Sequence, residues 1–381
     1  MKSVIRTLLL GVAVVVFAAC TSEDEPWDAS LIDNPPTDIA PMCPLWEIEP
    51  RYVVLGGEQV LLASVEQALR AEAARPAEAP LEIQVTKAGT VRAAIGKNAL
   101  TMDALTVSGP INSDDLTYIR RCSTSGRLRH LNLKNARIEG DAMPEHMFLS
   151  TEYVTKEEGY YTVADPSYVP LYTIELPSTL KYLREYSLCN LLITHIELPS
   201  TLESMDDMCL ARTPFLGGEI TLEENLSVGS GVFNKAGDGT LVINCRIKTV
   251  PCAFSDARLK AINLEEGLVE ELAVYALFSV KGIESITLPA SLKRLGIGSL
   301  QDIPQLKTLY VKFSDPSLAS ITWEDVMDGA TMTPFGDLFE RGDSPTPSTV
   351  EVYVPAGCRD AFVNQGYVAW EWFRQIYEME Y

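Results

Sequence analysis

The sequence predicts a repeat solenoid of the α/β class, rich in β-strand, in which short parallel strands stack from one coil to the next. The heptapeptide Ile-Glu-Leu-Pro-Ser-Thr-Leu occupies residues 174–180 and returns unchanged at 196–202. A close copy, Ile-Thr-Leu-Pro-Ala-Ser-Leu, occupies residues 286–292, and further aliphatic pairs occur between the copies at intervals of 19 to 24 residues. Self-similarity with a period of about 20 to 50 residues is typical of solenoids.

The repeated unit explains how each coil is held. Two aliphatic residues separated by one position point to the same face of a strand, and the next coil places its own pair about 4.8 Å away. Each buried aliphatic side chain contributes about 1.5–3 kcal/mol, but one coil cannot shield its own face, so stability depends on neighbours. Proline after the strand, as at Pro177, lacks an amide hydrogen and ends the ladder. Nine candidate repeats begin at Leu105, Leu131, Ile174, Ile196, Ile220, Ile243, Ile262, Ile286 and Leu309.

Repeats of this form resemble those of the BspA-like leucine-rich repeat proteins of bacterial surfaces, whose unit reads approximately Leu-x-x-Ile-x-Leu-Pro-x-x-Leu-x-x-Ile. The similarity extends over residues 86–381, where Ala253-Phe254 fits the back of the family's coil and residues 352–358 are similar to its terminal strand. The resemblance implies a leucine-rich-repeat array of parallel short strands with an N-terminal cap and a C-terminal helical cap.

The N-terminus has the features of an export signal. Lys2 and Arg6 precede an apolar run over residues 8–19 that is too short to cross a membrane. The sequence Phe-Ala-Ala-Cys ending at Cys20 resembles the lipobox of bacterial lipoproteins, whose cysteine carries the lipid. The alternative is an ordinary signal peptide followed by a chance cysteine. We expect an outer-membrane lipoprotein exposed on the surface of a Gram-negative cell, attached to the membrane only through this lipid.

Composition then divides the chain into successive parts. The predicted parts are a signal peptide (1–19), the lipidated Cys20 with a flexible tether (20–50), an N-terminal capping region (51–103), the repeat array (104–349), and a terminal strand with a helical cap (350–381). Two stretches longer than one repeat predict insertions in the array at 139–170 and 313–349.

Local patterns predict elements within the first two folded parts. Apolar residues at helical spacing predict an amphipathic helix over residues 58–74, which Pro76 and Pro80 follow, and a strand over 81–86. Residues 114–122 predict a helix between the first two repeats.

Charge and motif content exclude several classes of function. The formal net charge is −21, and removal of Lys2 and Arg6 with the leader makes it more negative, so nucleic acid and anionic lipid are poor partners. Three scattered histidines and the absence of any Cys-x-x-Cys predict no metal site. No nucleophile elbow, zinc-protease or phosphate-binding motif is present. We therefore expect a monomeric protein that is not an enzyme and binds no cofactor.

The cysteines leave one question open. Cys189 and Cys209 fall at similar points of successive repeats, which favours small buried apolar residues. Cys245 and Cys252 are close enough in sequence to form a local disulfide, or are free thiols; their spacing does not decide between the two.

On each predicted strand, the residue between the two buried aliphatics faces solvent. A ligand could lie across this row, or the row is only the solvated face of the sheet. Adjacent glutamates at its start could mark a site for a cation or for a basic partner. The predicted row consists of Glu175, Glu197, Thr221, Asn244, Asn263, Thr287 and Tyr310.

The first insertion is rich in tyrosine and predicts a hairpin. Two runs, residues 153–155 and 160–163, are separated by a short polar turn. Exposed tyrosines provide contact area at small entropic cost, so they are candidates for contact with a protein or a glycan. The alternative is that they pack onto the array. The candidates are Tyr153, Tyr160, Tyr161 and Tyr168.

The second insertion contains Arg341-Gly342-Asp343-Ser344, followed by proline. This stretch resembles the integrin-binding loop of host adhesive proteins, in which Asp ligates the receptor's metal and Arg enters an acidic pocket. The alternative is a plain surface turn.

These observations favour a lipid-anchored, non-enzymatic surface protein that binds or adheres to a host or extracellular matrix protein through loops on a repeat scaffold. The alternative is a glycan-binding surface lipoprotein that assists polysaccharide uptake.

Overall fold

The structure of the chain is a computed structural model. It describes residues 51–148, 154–157, 160–163, 167–319, 326–327, 330–337, 349–364, 370 and 373–380. Elements are numbered in chain order. The helices are α1 (Leu62–Ala73), α2 (Val91–Ile95), α3 (Ser113–Thr124) and α4 (Arg359–Asn364), with 3-10 turns at Gly96–Leu100, Glu139–Asp141 and Pro316–Ala319.

A front layer of parallel strands runs through the array. Its strands are β3 (Leu81–Gln84), β4 (Ala104–Ile111), β5 (His130–Asn132), β11 (Thr173–Glu175), β14 (Glu219–Leu222), β16 (Leu241–Cys245), β18 (Leu259–Leu264), β20 (Ser285–Leu288), β22 (Thr308–Val311), β26 (Glu351–Pro355) and β27 (Gln375–Met379). They form three hydrogen-bonded sheets, in the orders β3-β4-β5-β11, β14-β16-β18 and β20-β22-β26-β27. Single bridges from Thr173 to His195 and from Arg258 to Lys281 continue the layer between sheets.

A second ladder of two-residue strands forms another side of the coils. Its members are β7 (Ala142–Met143), β12 (Tyr182–Leu183), β13 (Ser204–Met205), β15 (Ser227–Val228), β17 (Thr249–Val250), β19 (Glu271–Leu272) and β21 (Arg294–Leu295). The remaining strands are β1 (Tyr52–Leu55), β2 (Glu58–Leu61), β6 (Ala136–Ile138), β8 (Val154–Glu157), β9 (Tyr160–Val163), β10 (Ser167–Tyr168), β23 (Val326–Met327), β24 (Ala330–Thr333) and β25 (Gly336–Asp337).

The third side of each coil is a turn held by backbone hydrogen bonds to the next coil. The Leu188 amide donates to the Cys209 carbonyl at 2.8 Å, and the Leu210 amide donates to the Val232 carbonyl at 3.1 Å. Cys189 and Cys209 are fully buried in these turns, as their positions in the repeat predict. Each coil therefore has three hydrogen-bonded sides around one core.

The core is continuous along the array, as the aliphatic pairs predict. One cluster of buried side chains extends from Ile83 to Ile376. In β14 the pair Ile220 and Leu222 is at most 3% exposed, and the pairs of the other front strands align with it. The predicted α3 and the hairpin of β8 and β9 are also confirmed.

The helix expected over residues 58–74 begins only at Leu62, so the prediction was wrong for its first turn. Residues Glu58–Leu61 instead form β2, which is antiparallel to β1. Gly56 and Gly57 join the two strands with φ of 59° and 84°, a conformation that glycine adopts without strain and that suits a tight hairpin.

The segment β1-β2-α1 lies against successive coils, while β3 forms the edge of the front layer. Val53 and Leu69 pack in one cluster with Tyr172, Leu192 and Phe215 of the array. The Tyr172 hydroxyl donates to Glu72 at 2.8 Å. The segment therefore covers the side of the array, and β3 occupies its N-terminal end.

Parts of both predicted insertions continue the coils. Strand β7 pairs in parallel with β12. The Gly298 and Leu300 amides donate to the carbonyls of Thr333 and Pro334, at 2.9 and 2.8 Å, so residues 333 and 334 take the place of the next coil's turn.

At the C-terminus, α4 is present, but the last strand is β27 rather than the strand that begins at residue 351. The prediction of a terminal strand followed by a helical cap therefore missed β27.

Candidate functional site

The front layer presents one aligned row of solvent-facing side chains, which we call the front row. Every member except Tyr377 stands between two inward-facing residues of its coil, and within each of the three sheets the strand registers place neighbours opposite one another. The front row consists of Glu82, Thr106, Asn132, Glu175, Glu197, Thr221, Asn244, Asn263, Thr287, Tyr310, Tyr353 and Tyr377.

All seven residues of the predicted row lie on this face. Glu175, Glu197, Asn263 and Thr287 are exposed, and the other three are partly exposed. Glu197 follows an isolated bridge at His195 rather than lying in a strand. Sequence reasoning thus located the middle of the front row but missed both of its ends.

The middle of the front row is an amide ladder. The Asn263 side-chain amide donates to the Asn244 side-chain oxygen at 2.7 Å. The Asn244 amide donates in turn to Glu219 at 2.5 Å, and Glu219 lies on the neighbouring strand. These bonds orient polar groups across three coils, so the surface is both polar and ordered before any ligand arrives.

The C-terminal end of the front row is a ladder of three tyrosines, which we call the tyrosine ladder. The ring centroids of Tyr310 and Tyr353 are 5.3 Å apart with planes at 25°, and those of Tyr353 and Tyr377 are 5.4 Å apart at 32°. The Tyr353 hydroxyl donates to Glu351 at 3.1 Å, and this hydrogen bond is the main cause that raises the pKa of Tyr353. Tyr377 is 44% exposed.

Neighbouring rings at this spacing face one another and present their edges and hydroxyls outward. The tyrosine ladder is therefore suited to hydrogen bonding and to further stacking at its end, more than to acting as a flat platform for a sugar ring.

The tyrosines of the first insertion divide between described and undescribed parts. Tyr168 is 8% exposed and packs in the cluster that contains Tyr172, so its assignment as an exposed contact residue was wrong. Its β10 strand pairs with β1, which draws the ring inward. The backbones of Tyr160 and Tyr161 lie in β9, but their side chains, and all of Tyr153, lie outside the described residues.

The other predicted functional positions also lie outside the described residues. These are Cys20 and the stretch Arg341, Gly342, Asp343 and Ser344. Their lipidation and integrin-binding roles remain predictions.

A polar cluster joins α1 to the first coils. Arg129 is 7% exposed, and its Nε lies 3.7 Å from a Glu72 oxygen that belongs to the carboxylate bonded by Tyr172. His130 contacts Thr173 through Nδ1 at 3.0 Å. Burial lowers the pKa of His130, although Asp103 and Glu72 act in the opposite direction. Because these groups bond mainly to one another and to backbone, the cluster fixes the segment β1-β2-α1 in place.

The remaining reactive groups are the cysteines and the side chains that could bind a metal. Cys245 and Cys252 are both buried and are not bonded to each other, so the local disulfide alternative does not hold. Burial raises the pKa of Cys245 to about 12. Within the described ranges, no three His, Cys, Asp or Glu side chains come together as a metal-binding group. None of the helices in those ranges combines the length and apolar composition needed to span a bilayer.

Comparison with known proteins agrees with this geometry. The BspA type leucine rich repeat region matches in 6 copies, at residues 167–251 and 241–323. A search of curated proteins found no match. Repeats of this family are typically non-enzymatic scaffolds for protein binding or adhesion. Residues 167–323 are therefore a BspA-type leucine-rich repeat array.

Proposed function

We propose that this protein is a lipid-anchored bacterial surface protein that adheres to a host or extracellular matrix protein through its front row. The observation that carries the proposal is the alignment of exposed polar and tyrosine side chains along the parallel front layer. Twelve positions at about 4.8 Å per strand extend for about 50 Å. With strands about 13 Å long, this face approaches the roughly 800 Å² that each partner contributes to a typical stable interface.

Charge favours a basic partner surface. The net charge of −21 and the front-row glutamates Glu82, Glu175 and Glu197 attract such a surface and increase its rate of association. Attachment through Cys20 would hold the array at the membrane, with residues 20–50 as the tether.

The test is binding of the purified full chain to an array of matrix proteins and glycans, followed by two matched variants. Thr287→Arg places a bulky cation in the front row, and Thr249→Arg places the same group at an exposed position of the second ladder. We expect Thr287→Arg to weaken binding about tenfold and Thr249→Arg by less than about twofold. Equal effects would show that the front row is not the binding face.

The same array separates the alternatives. Capture of a glycan has less support because Tyr168 of the first insertion and Tyr172, which follows that insertion, are buried. Binding of the array's glycans with no protein bound would favour that alternative. Integrin binding that survives Asp343→Ala would exclude the Arg-Gly-Asp mechanism. Loss of membrane attachment in Cys20→Ala would support the lipid anchor.

A further inference from the structure

Among the described residues, no strand pairs with the outer edge of the last front-layer strand, β27. It ends the order β20-β22-β26-β27 among the described residues. Ile376 faces the core, whereas Tyr377 and Glu378 are exposed. An open edge carries backbone groups that can pair with another strand.

The direction of these backbone groups follows from the neighbouring strand. The Glu351 amide donates to the Lys307 carbonyl at 2.9 Å, so the backbone groups of Glu351 face β22. Because successive residues of a strand point their amides and carbonyls to opposite sides, those of Val352 and Val354 face β27.

The register then assigns the two edges of β27. Val352 pairs with Ile376 and Val354 with Glu378, so the backbone groups of Ile376 and Glu378 face away from the sheet. The Arg359 side chain donates to the Ile376 carbonyl at 2.9 Å, which agrees with this direction. Arg359 is half exposed, and a surface bond of this kind is exchanged at small cost. The Ile376 amide and both groups of Glu378 remain directed outward.

The tyrosine ladder ends on this strand. An added strand would lie about 4.8 Å beyond β27, close to the 5.3 and 5.4 Å ring separations of the existing ladder. A side chain opposite Tyr377 would therefore continue the stack, and an aromatic ring is the group that gains most there.

Charge selects among extended segments. Glu378 on the strand and Glu380 directly after it are exposed, and Asp360 in α4 has a side chain that is 87% exposed. The Glu378 carboxylate accepts the Arg359 amide at 3.0 Å. These three carboxylates outnumber the two arginines near the edge, Arg359 and Arg374. The chain as a whole carries −21. A segment with basic residues flanking its aromatic residue complements this edge, whereas the acidic residues disfavour a second copy of the same chain.

We propose that the outer edge of β27 binds an extended segment of a partner protein as an additional strand, with an aromatic side chain opposite Tyr377 and basic residues beside it. Main-chain hydrogen bonds to Ile376 and Glu378 supply the attachment, and the tyrosine ladder sets the register. The choice of a protein ligand rests on the proposed function; the location and the geometry do not.

The probe is a fluorescein-labelled peptide, Lys-Thr-Val-Thr-Tyr-Thr-Val-Thr-Lys, titrated with the full chain and read by fluorescence anisotropy. We expect the same peptide with serine in place of tyrosine to bind about tenfold more weakly. In the protein, Glu378→Pro removes an outward amide, together with the carboxylate that accepts the Arg359 amide at 3.0 Å, without touching the bonds to β26, and we expect about a tenfold loss. Glu378→Gln keeps that amide and should bind within about threefold of the parent.

Hydrogen exchange on the unaltered protein covers the case in which Glu378→Pro fails to fold. The peptide should slow exchange at the amides of Ile376 and Glu378 and leave that of Thr287 unchanged. Absence of peptide binding, or binding without this protection, would overturn the proposal. Self-association of the chain that Glu378→Pro abolishes would also overturn it, because the occupant would then be a second copy. Peptide binding by a protein that binds nothing on the matrix array would contradict the proposed function and leave this site intact.

Discussion

Asp115 provides the sharpest test of how the N-terminal part of the array is held. Its carboxylate is 3% exposed and accepts three backbone amides: Gly89 at 2.7 Å, Val91 at 3.0 Å and Asn112 at 3.2 Å. One side chain therefore caps α3 and fixes the loop that leads into α2. The substitution Asp115→Asn keeps the size of the side chain and removes its charge.

The magnitude follows from the bonds that asparagine cannot make. Its single oxygen can retain the amides of Gly89 and Asn112, but its NH₂ group then faces the buried amide of Val91. An unsatisfied buried amide costs about 1–3 kcal/mol, and the retained bonds weaken because they lose charge assistance. We expect the free energy of unfolding to fall by about 2–4 kcal/mol.

The matched control is Asp114→Asn, one residue earlier and exposed. Both carboxylates lie in the first turn of α3, so their interaction with the helix dipole is similar and cancels in the comparison. Urea unfolding monitored by circular dichroism gives the difference, and hydrogen exchange at Gly89 and Val91 locates it. A loss for Asp115→Asn within about 0.5 kcal/mol of the control would refute the reasoning.

Two further predictions use other buried groups. Burial raises the pKa of Cys122 to about 11 and that of Cys245 to about 12. We therefore expect these thiols to resist Ellman's reagent in the native protein and to react after unfolding in urea. Mass spectrometry of the labelled peptides checks this expectation, and labelling of Cys245 in the native protein would contradict it. Burial lowers the pKa of His130 below 6.5, so the unfolded state binds the proton more readily. The free energy of unfolding should therefore fall as the pH drops below about 6.5, by at most about 1.4 kcal/mol per pH unit. Urea midpoints measured between pH 5 and 7.5 should depend less steeply on pH in His130→Gln, and an unchanged pH dependence would contradict the assignment.

The fold was predictable wherever a local pattern and its neighbours agreed. The pair Ile220 and Leu222 specifies a strand whose inward face is buried by the coils on either side, and such pairs recur often enough to define the array. The helix over residues 58–74 was misplaced because its alanine- and glutamate-rich composition outweighed Gly56-Gly57, which is itself a hairpin signal. Helix propensity predicted the structure correctly from Leu62 onward, and incorrectly over the strand that follows the glycine turn.

The repeated heptapeptide shows the limit of local sequence. Its first copy begins within β11, whereas the identical copy at residues 196–202 is preceded only by a single bridge at His195. The next coil enters its strand through Gly217 and Gly218, and Gly218 has a φ of 82°. Because ladder pairing needs two extended partners, the neighbour decides whether the same residues become a strand.

The front row was only partly predictable for a related reason. Tyr310 is separated from Tyr353 by 43 residues and Tyr353 from Tyr377 by 24, so no constant period connects the three. In the structure they are consecutive, because β22 and β26 pair in parallel although residues 313–349 separate them in sequence. The period of the repeat in the sequence therefore predicts the scaffold. The register between paired strands is needed to identify which side chains share its exposed face.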